Sequence, residues 1–490
     1  MSLMKLDIPA GIYSHGTDYQ SSARWHDANF VRWEGNSIRP IGGWQERVAS
    51  ATASPPRGSI SWVENTNNYA HLAVGTYNKL YAITQGGTVS DITPVGLTAG
   101  HVDAVEFLGY SGTYFGTGIY GVERPSTGVF QECTTWALDN WGEYLVACSV
   151  DDGYIYQWNL TGVATVLSNA PTAKSIVATS ERFLFALAAS GDPRKVAWSD
   201  KEDNNTWTAS ATNEAGDILL QTPGQIMCGV NTRGRTLILT TVDAHAATYQ
   251  GPPFVYGFER VGTACGVISR KAAAQVGEGA YWMGRNSFFN FNGSVVQPMP
   301  CDVSDHVFKD INRAQMSKVF AVHNSRFNEV WWFYPSAESM ENNRYVAYDY
   351  KENHWIIGEL DRTTGFDAGV LSRPVLFSSS GDAYNHEVGN YYGGVQPYVE
   401  SGPINLGNGD QVMHVTQMIP DELVQGEVTA TFKTRFYPND TERSYGPYSM
   451  ANPTSMRFTG RQVRMRLTGL EYKDWRAGTM RIDVVPGGKR

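Results

Sequence analysis

The side chains that could perform chemistry are few and far apart in this sequence. His386-Glu387 and His101-x-Asp103 each place one histidine beside one carboxylate, whereas a metal centre needs further ligands at a defined spacing. Gly109-Tyr-Ser111-Gly112 is one residue short of a GxSxG nucleophile elbow. Phosphate-binding loops, dinucleotide fingerprints and HExxH motifs do not occur in the sequence. We therefore expect no enzyme activity, no catalytic or metal-binding residues and no cofactor.

Glycoside hydrolysis is the enzymatic alternative that the sequence leaves open, because propellers host it and it needs only two or three carboxylates about the central axis. The segment from Trp198 to Trp207, WSDKEDNNTW, is distantly similar to the Asp-box turn of sialidase blades. Its spacing differs and its glycine is absent. Such turns are structural, so the similarity favours propeller blades rather than catalysis.

The composition indicates a chain of short strands and tight turns. Its 490 residues include 50 Gly, 14 Trp, 26 Tyr and 20 Phe, and only 18% are charged, against about 25% in average proteins. This balance excludes intrinsic disorder and coiled coil. The longest apolar run, near Phe183 to Ala189, is far shorter than the ~18 residues of a membrane helix. No membrane span is expected.

The charge is unevenly distributed along the chain. Residues 396–490 carry 12 basic and 10 acidic side chains, a net charge of +2. Because the whole chain has a net charge of −9, residues 1–395 have a net charge of −11. DNA-binding surfaces need clustered cations, so the acidic part is not a general nucleic-acid binder. Arginine outnumbers lysine by 27 to 12. Protein interfaces are likewise enriched in Arg, Trp and Tyr and depleted in Lys.

A recurring unit consists of an apolar or aromatic strand, a polar turn and a second strand that carries Tyr, Trp or Phe. Copies begin at His71, Tyr144, Arg182, Arg235, Gly279, Glu329 and Pro374, with a weaker copy at Thr113. Most are spaced by about 40 to 50 residues, as expected of four-stranded propeller blades. The fold class predicted is all-β, with a β-propeller of six to eight blades over residues 55–395.

Two segments flank the predicted propeller. Residues 1–54 are too short and turn-rich for a core of their own, so we expect an N-terminal extension that packs on the propeller or on a neighbouring subunit. Residues 396–490 alternate apolar and polar side chains with period two, which predicts a β-sandwich-like docking domain. In Val463–Leu467 the alternation places Arg464 and Arg466 on the solvent face, where they could dock to an acidic partner or a DNA end.

The cysteines and the N-terminus bear on localisation. Cys133, Cys148, Cys228, Cys265 and Cys301 are odd in number and widely spaced, and no CxxC occurs. We expect buried free thiols in a protein folded in a reducing cytoplasm. Asp7 and Pro9 interrupt the N-terminus before an apolar signal region can form, so no secretory signal is expected.

Several stretches of the sequence resemble the tail nozzle, or tail-tube, proteins of short-tailed (podovirus-type) bacteriophages. They cover almost the whole chain, and none of them is a catalytic motif. The similar stretches are Ile8–Gly11, Gly16–Gln20, Arg24-Trp25, Arg39–Trp44, Trp198–Asp203, Gly251–Pro253, Gly257–Gly262, Tyr281–Gly284, Val330–Pro335, His386–Gly389, Trp475–Gly478 and Pro486–Gly488. The resemblance therefore concerns assembly rather than chemistry.

The resemblance implies a structural virion protein that is assembled in the host cytoplasm and located in the virion tail. In this family six identical subunits form a ring below the portal and adaptor proteins, extend the DNA ejection channel and dock the tail fibres. Double-stranded DNA would pass without specific binding, which suits an acidic wall. We expect inter-protein contacts around Arg24, Trp25 and Trp44 and at Arg464 and Arg466. A glycan hydrolase and a host receptor-binding propeller remain the alternatives.

Overall fold

The computed structural model describes residues 2–17, 19–106, 130–407, 411–438, 440–450 and 452–488. It is nearly all-β, with 48% strand and 4% helix, as the sequence predicts. The weaker repeat at Thr113 lies outside the described residues. Within them, no helix is long and apolar enough to cross a membrane.

Seven four-stranded antiparallel sheets form the blades of a propeller. Blades 1 to 3 consist of Gly58–Val63, Ala70–Gly75, Leu80–Thr84 and Val89–Asp91; of Trp136–Trp141, Tyr144–Ser149, Ile155–Trp158 and Thr165–Val166; and of Ser175–Ala178, Leu184–Leu187, Lys195–Trp198 and Gly216–Leu219. Blades 4 and 5 consist of Ile226–Thr232, Arg235–Thr240, Ala244–Gly251 and Val255–Gly262, and of Ala273–Val276, Gly279–Met283, Phe288–Phe291 and Val296–Met299. Blade 6 consists of Phe320–Asn324, Glu329–Tyr334, Arg344–Asp349 and His354–Glu359.

The seventh blade closes the ring with a strand from the other end of the propeller sequence. Thr364–Phe366, Val375–Phe377 and Ala383–His386 supply three strands, and Trp44–Val48 pairs antiparallel with Ala383–His386 as the fourth. The first strand of each blade contacts the first strands of both neighbours, and blade 7 contacts blade 1. The seven repeats predicted from the sequence are the two middle strands of these seven blades, so the propeller prediction is confirmed.

The β-sandwich is built from both ends of the chain. Its first sheet has the strand order Ser2–Leu6, Met480–Gly488, Val412–Ile419 and Thr454–Gly460. Its second sheet has the order Trp25–Asn29, Tyr398–Ser401, Gln462–Gly469, Val428–Arg435 and Arg443–Ser449, with Ile404–Asn405 also paired to Gln462–Gly469. Segments that precede residue 55 thus complete sheets of both the propeller and the sandwich, so both cross the boundary drawn at residue 54. The boundary at residue 395 lies between the last propeller strand, Ala383–His386, and the sandwich strand Tyr398–Ser401.

One hydrophobic core continues from the sandwich into blades 4 to 6. Separate clusters fill the contacts between blades 1 and 2, 2 and 3, 3 and 4, and 7 and 1. A hairpin of Val31–Glu34 and Ser37–Pro40 lies in the chain between the sandwich strand Trp25–Asn29 and the blade-7 strand Trp44–Val48. Two short strands, Val105–Glu106 and Phe130–Gln131, pair between blades 1 and 2. Among the described residues, the helical elements are the α-helix Ser304–Asp310 and the 3-10 turns Ala189–Gly191 and Arg313–Lys318.

The aromatic surplus is used mainly inside the subunit. All 14 tryptophans are buried or half-buried, and Trp331, Trp332, Phe333 and Tyr334 are each at most 6% exposed. The five cysteines are free thiols and four of them are buried, as predicted. Burial raises the pKa of Cys148 and of Cys228 to about 12, so these thiols stay protonated and unreactive.

Candidate functional site

A buried charge cluster, here called the joint, connects the N-terminal hairpin with blades 6 and 7. The guanidinium of Arg32 donates to Glu387 through two nitrogens, at 2.6 and 3.1 Å, and to Glu329 at 2.9 Å. These side chains are 3%, 6% and 2% exposed. The ring of Phe327 lies 3.6 Å from the Arg32 guanidinium carbon. A bidentate arginine pair of this kind fixes both distance and orientation.

Neighbouring groups add hydrogen bonds to carboxylate oxygens of the joint that Arg32 already contacts. Trp331 Nε1 donates to Glu329 at 2.8 Å, and Asn324 Nδ2 donates to Glu387 at 3.0 Å. Burial raises the pKa of Glu329 to about 7 against the opposing attraction of Arg32, and the charge of Glu387 raises it further. The joint therefore holds two carboxylates on one guanidinium, and its charge balance depends on Arg32.

Three stretches that carry the family resemblance meet around the joint. Gly42 N donates to Glu387 Oε2 at 2.8 Å, and Gly43 N donates to the carbonyl of Gly389 at 2.8 Å. A Cβ at Gly42 would collide with the Glu387 side chain and backbone, so only glycine permits this approach. The ring of Trp44 stacks on His386 with centroids 5.7 Å apart. Stretches separated by hundreds of residues thus form one structural unit.

A second charge cluster, here called the plug, lies where the innermost strands of the blades begin. Lys318 Nζ contacts Asp103 Oδ1 at 2.5 Å and Glu341 Oε1 at 2.9 Å, and Arg57 contacts the same Glu341 oxygen at 2.5 Å. These residues come from blade 1, blade 6 and the connection after blade 1. The contacts therefore join blades that are not neighbours in the ring.

Two further contacts cross the propeller axis at the same end. Arg270 Nε contacts Glu132 at 3.1 Å. Arg270 lies just before blade 5 in the chain, and Glu132 lies just before blade 2. Gln315 exchanges two 2.9 Å hydrogen bonds with the backbone of Ala104. These interactions link separate blades at this end of the propeller axis.

We predict that Lys318→Met destabilises the protein by about 1–3 kcal/mol, the usual cost of leaving buried partners without their donor. Lys318 is fully buried, whereas Asp103 and Glu341 still reach solvent with 40% and 24% of their side-chain surface, so a larger loss is not expected. Urea unfolding measures the change. Lys309→Met, at a 75% exposed side chain, is the control and should cost less. Equal losses in the two variants would contradict a structural role for the plug.

The opposite end of the axis opens into a polar cavity, here called the cup, of about 330 Å³. It lies where the innermost strands of blades 1 to 4 end. Its lining residues are Asn65, Asp139, Asn140, Trp141, Gly142, Ala178, Thr179, Ser180, Arg182 and Asn231. The plug and the cup therefore lie at opposite ends of the propeller axis.

Asp139 lies in the wall of the cup, and the pKa of its carboxyl group is shifted from the ordinary value. Its oxygens accept the backbone N–H groups of Ala178 and Asn140, each at 2.8 Å. Burial nevertheless raises the pKa of Asp139 to about 6, opposed by those hydrogen bonds and by the ammonium of Lys271. Burial also lowers the pKa of Lys271 to about 8. Perturbed groups of this kind in a cavity mark a candidate ligand site.

No protein-family model and no curated protein matches the chain. Among solved structures it is similar to virginiamycin B lyase from Staphylococcus aureus, with 7% identity, a TM-score of 0.43 and coverage of 70% of this chain and 98% of that one. It is also similar to the Pan2 WD40 domain of Neurospora crassa, with 8% identity, a TM-score of 0.37 and coverage of 72% and 95%. Likeness at this level concerns the fold and carries no activity across.

The structure places the predicted N-terminal contact residues mostly inside the subunit. Trp25 is 4% exposed and pairs with Ser401 in the second sandwich sheet, so it belongs to the core rather than to an outer surface. Trp44 is half-buried in the outer strand of blade 7, where Arg362 lies 5.2 Å from its ring. Arg24 is one-third exposed and contacts Asp302 at 3.3 Å.

Arg464 and Arg466 lie on the outer face of the second sandwich sheet, as the alternation predicts. Each has a partner within the subunit: Arg464 contacts Glu442 at 2.9 Å, and Arg466 contacts Glu400 at 3.3 Å. Lys433 also contacts Glu400, at 2.8 Å. Their guanidinium groups are therefore already engaged, although Arg466 keeps 32% of its side chain exposed.

Sequence reasoning missed the joint, the plug and the cup. The sequence feature that could have indicated the joint is a charged side chain, Arg32, between the apolar residues Val31 and Trp33. For the cup it was the polar pair Asp139-Asn140 before Trp141 in an inner strand. In the described ranges, no group of three or more His, Cys, Asp or Glu side chains could hold a metal ion.

Proposed function

We propose that the chain is a structural subunit of the tail nozzle of a short-tailed bacteriophage. Identical copies would form a ring, by analogy with the family a hexamer, below the portal and adaptor. The ring would extend the DNA ejection channel and dock the tail fibres. The observation that carries this proposal is the meeting of Arg39–Trp44, Val330–Pro335 and His386–Gly389 at the joint. Resembling stretches that build one architectural unit support a shared architecture.

The contacts across one end of the propeller axis bear on the path of the DNA. Because the plug spans one end of that axis, duplex DNA would pass along the ring axis between subunits rather than through a propeller. The −11 charge of residues 1–395 suits such a wall, since acidic side chains outnumber the basic ones that could hold phosphates. Assembly in the host cytoplasm and residence in the virion tail belong to the same proposal.

Ring formation requires subunit contacts, and one exposed surface has the composition of an interface. Three loops carry this apolar patch, which consists of Tyr391, Val395, Leu423, Val424, Leu470 and Tyr472, each 41–70% exposed. The rings of Tyr391 and Tyr472 are 5.3 Å apart, and Leu470 N donates to the carbonyl of Glu427 at 2.9 Å. Grouped apolar side chains of this kind are typical of protein–protein contacts.

Electron microscopy of the purified protein and of phage particles tests the proposal. We expect closed rings from the wild-type protein, and monomers that remain folded from the double variant Leu423→Asp/Leu470→Asp. The control is Val95→Asp/Phe254→Asp, whose parent side chains are 87% and 77% exposed elsewhere on the propeller. A wild-type protein that stays monomeric and is absent from particles would refute the nozzle role. Rings from the Leu423→Asp/Leu470→Asp variant would refute the patch alone.

A further inference from the structure

The cup has the size and the polarity of a small-ligand site. Its volume of about 330 Å³ is at the lower end of the ~300–1,000 Å³ that such sites occupy. Eight of its ten lining residues have side chains that can donate or accept hydrogen bonds, and the cup offers little apolar surface. A ligand that fits must therefore be rich in hydrogen-bonding groups.

Several of these groups keep hydrogen-bonding capacity for a ligand. A carboxylate can accept about four hydrogen bonds, and Asp139 uses one at each oxygen for a backbone N–H. Arg182 is exposed, lies 5.6 Å from the ring of Trp141, and has no carboxylate partner in the part of the chain that is described. Asn140 donates only a long 3.3 Å bond, to the carbonyl of Gly142.

The balance of charge selects among ligand classes. The cup is lined by one carboxylate, Asp139, and one guanidinium, Arg182. An anion would meet Asp139, a cation would meet Arg182, and an apolar ligand would strip water from both without replacing their hydrogen bonds. Hydroxyl groups both donate and accept, so a neutral polyol can donate to Asp139 and accept from Arg182.

We propose that the cup binds one unit of a neutral saccharide, with Asp139 accepting from its hydroxyl groups and Arg182 donating to them. Cleavage is not part of this proposal. Glycoside hydrolysis needs a second carboxylate about 5–9.5 Å from the first, and Asp139 is the only acidic residue among the described lining residues. This binding site goes beyond the nozzle role and does not depend on it.

Saturation-transfer NMR with glucose, galactose, N-acetylglucosamine and rhamnose, each added to the full-length protein, tests the site. We expect saturation transfer to at least one sugar. Asp139→Asn and Arg182→Gln should each weaken its binding about tenfold or more, because each change removes a charge-assisted hydrogen bond. Arg443→Gln is the control, since Arg443 is exposed on the sandwich, and its affinity should equal that of the wild type.

The outcomes separate this proposal from the nozzle proposal. No transfer to any of the four sugars, or unchanged affinity in both cup variants, overturns the sugar site. If a sugar binds, the protein is also incubated with an oligosaccharide of that sugar. Release of reducing sugar from this oligosaccharide overturns the claim of binding without cleavage. Ring formation by the same variants is scored by microscopy, so loss of sugar binding with intact rings contradicts neither the ring nor its interface. Arg182→Gln keeps the test informative if Asp139→Asn fails to fold.

Discussion

A chain that begins at residue 55 should fail to form either the closed propeller or the sandwich. It would lack the fourth strand of blade 7, Trp44–Val48, and one strand of each sandwich sheet, Ser2–Leu6 and Trp25–Asn29. The strand Ala383–His386 would become an unpaired edge, which promotes aggregation. We expect a soluble yield near zero, or a product without a cooperative urea transition. Far-UV circular dichroism and size-exclusion chromatography measure both properties.

A chain that begins at residue 8 is the matched control for this truncation. It loses only Ser2–Leu6, which is an edge strand paired to Met480–Gly488 alone. This shorter deletion should fold and unfold cooperatively, with reduced stability. Cooperative unfolding of the chain that begins at residue 55 would show that the N-terminal segments are dispensable and that the composition-based boundary at residue 54 describes an autonomous unit.

The strand pattern of the propeller could be read from the sequence because it is local. Each unit, such as Glu329–Tyr334 followed by Arg344–Asp349, is a hairpin whose two strands and turn are adjacent in the chain. The alternation in Val428–Arg435 and Gln462–Gly469 likewise predicts half-buried strands that the structure contains. Periodicity identifies a strand and its buried face, and both signals depend on nearby residues only.

The partners of the N-terminal strands could not be read in this way. Trp44–Val48 pairs with Ala383–His386, and Trp25–Asn29 pairs with Tyr398–Ser401, across more than 300 residues of sequence. Local alternation does not specify which distant edge a strand joins. The burial of Trp25 was not predicted for this reason, since it follows from a long-range pairing. The same limit hid Glu387, whose partner Arg32 is 355 positions away.

The second large effect concerns the joint, where Arg32→Met should destabilise the protein by about 3–5 kcal/mol. Methionine keeps most of the volume of the side chain but leaves the carboxylates of Glu329 and Glu387 without a cation. Both carboxylates are at least nine-tenths buried, and breaking a buried ion pair by removing one partner costs about this much. Equilibrium urea unfolding of the variant and the wild type measures the loss, provided that both transitions are two-state.

Arg39→Met is the control, because Arg39 lies directly opposite Arg32 in the same hairpin. Arg39 contacts Glu34 and Asp474, whose side chains are 55% and 46% exposed. Such exposed pairs contribute about 0–1 kcal/mol, so the control should lose little. A loss of similar size at both positions would mean that the hairpin, and not the buried charge, accounts for the effect.

The pH dependence of the Arg32→Met variant separates charge from packing. Burial raises the pKa of Glu329 to about 7 in the folded wild type, and removing Arg32 should raise it further. The folded state then binds this proton more tightly than the unfolded state, so stability falls as the pH rises through the folded pKa. The loss of unfolding free energy in Arg32→Met, relative to the wild type, should therefore become smaller as the pH is lowered from about 8 to about 5.

Adding Glu329→Gln to Arg32→Met should recover part of the loss at the higher pH, because it removes one uncompensated charge. A deficit that is independent of pH and insensitive to Glu329→Gln would show that Arg32 acts through packing alone.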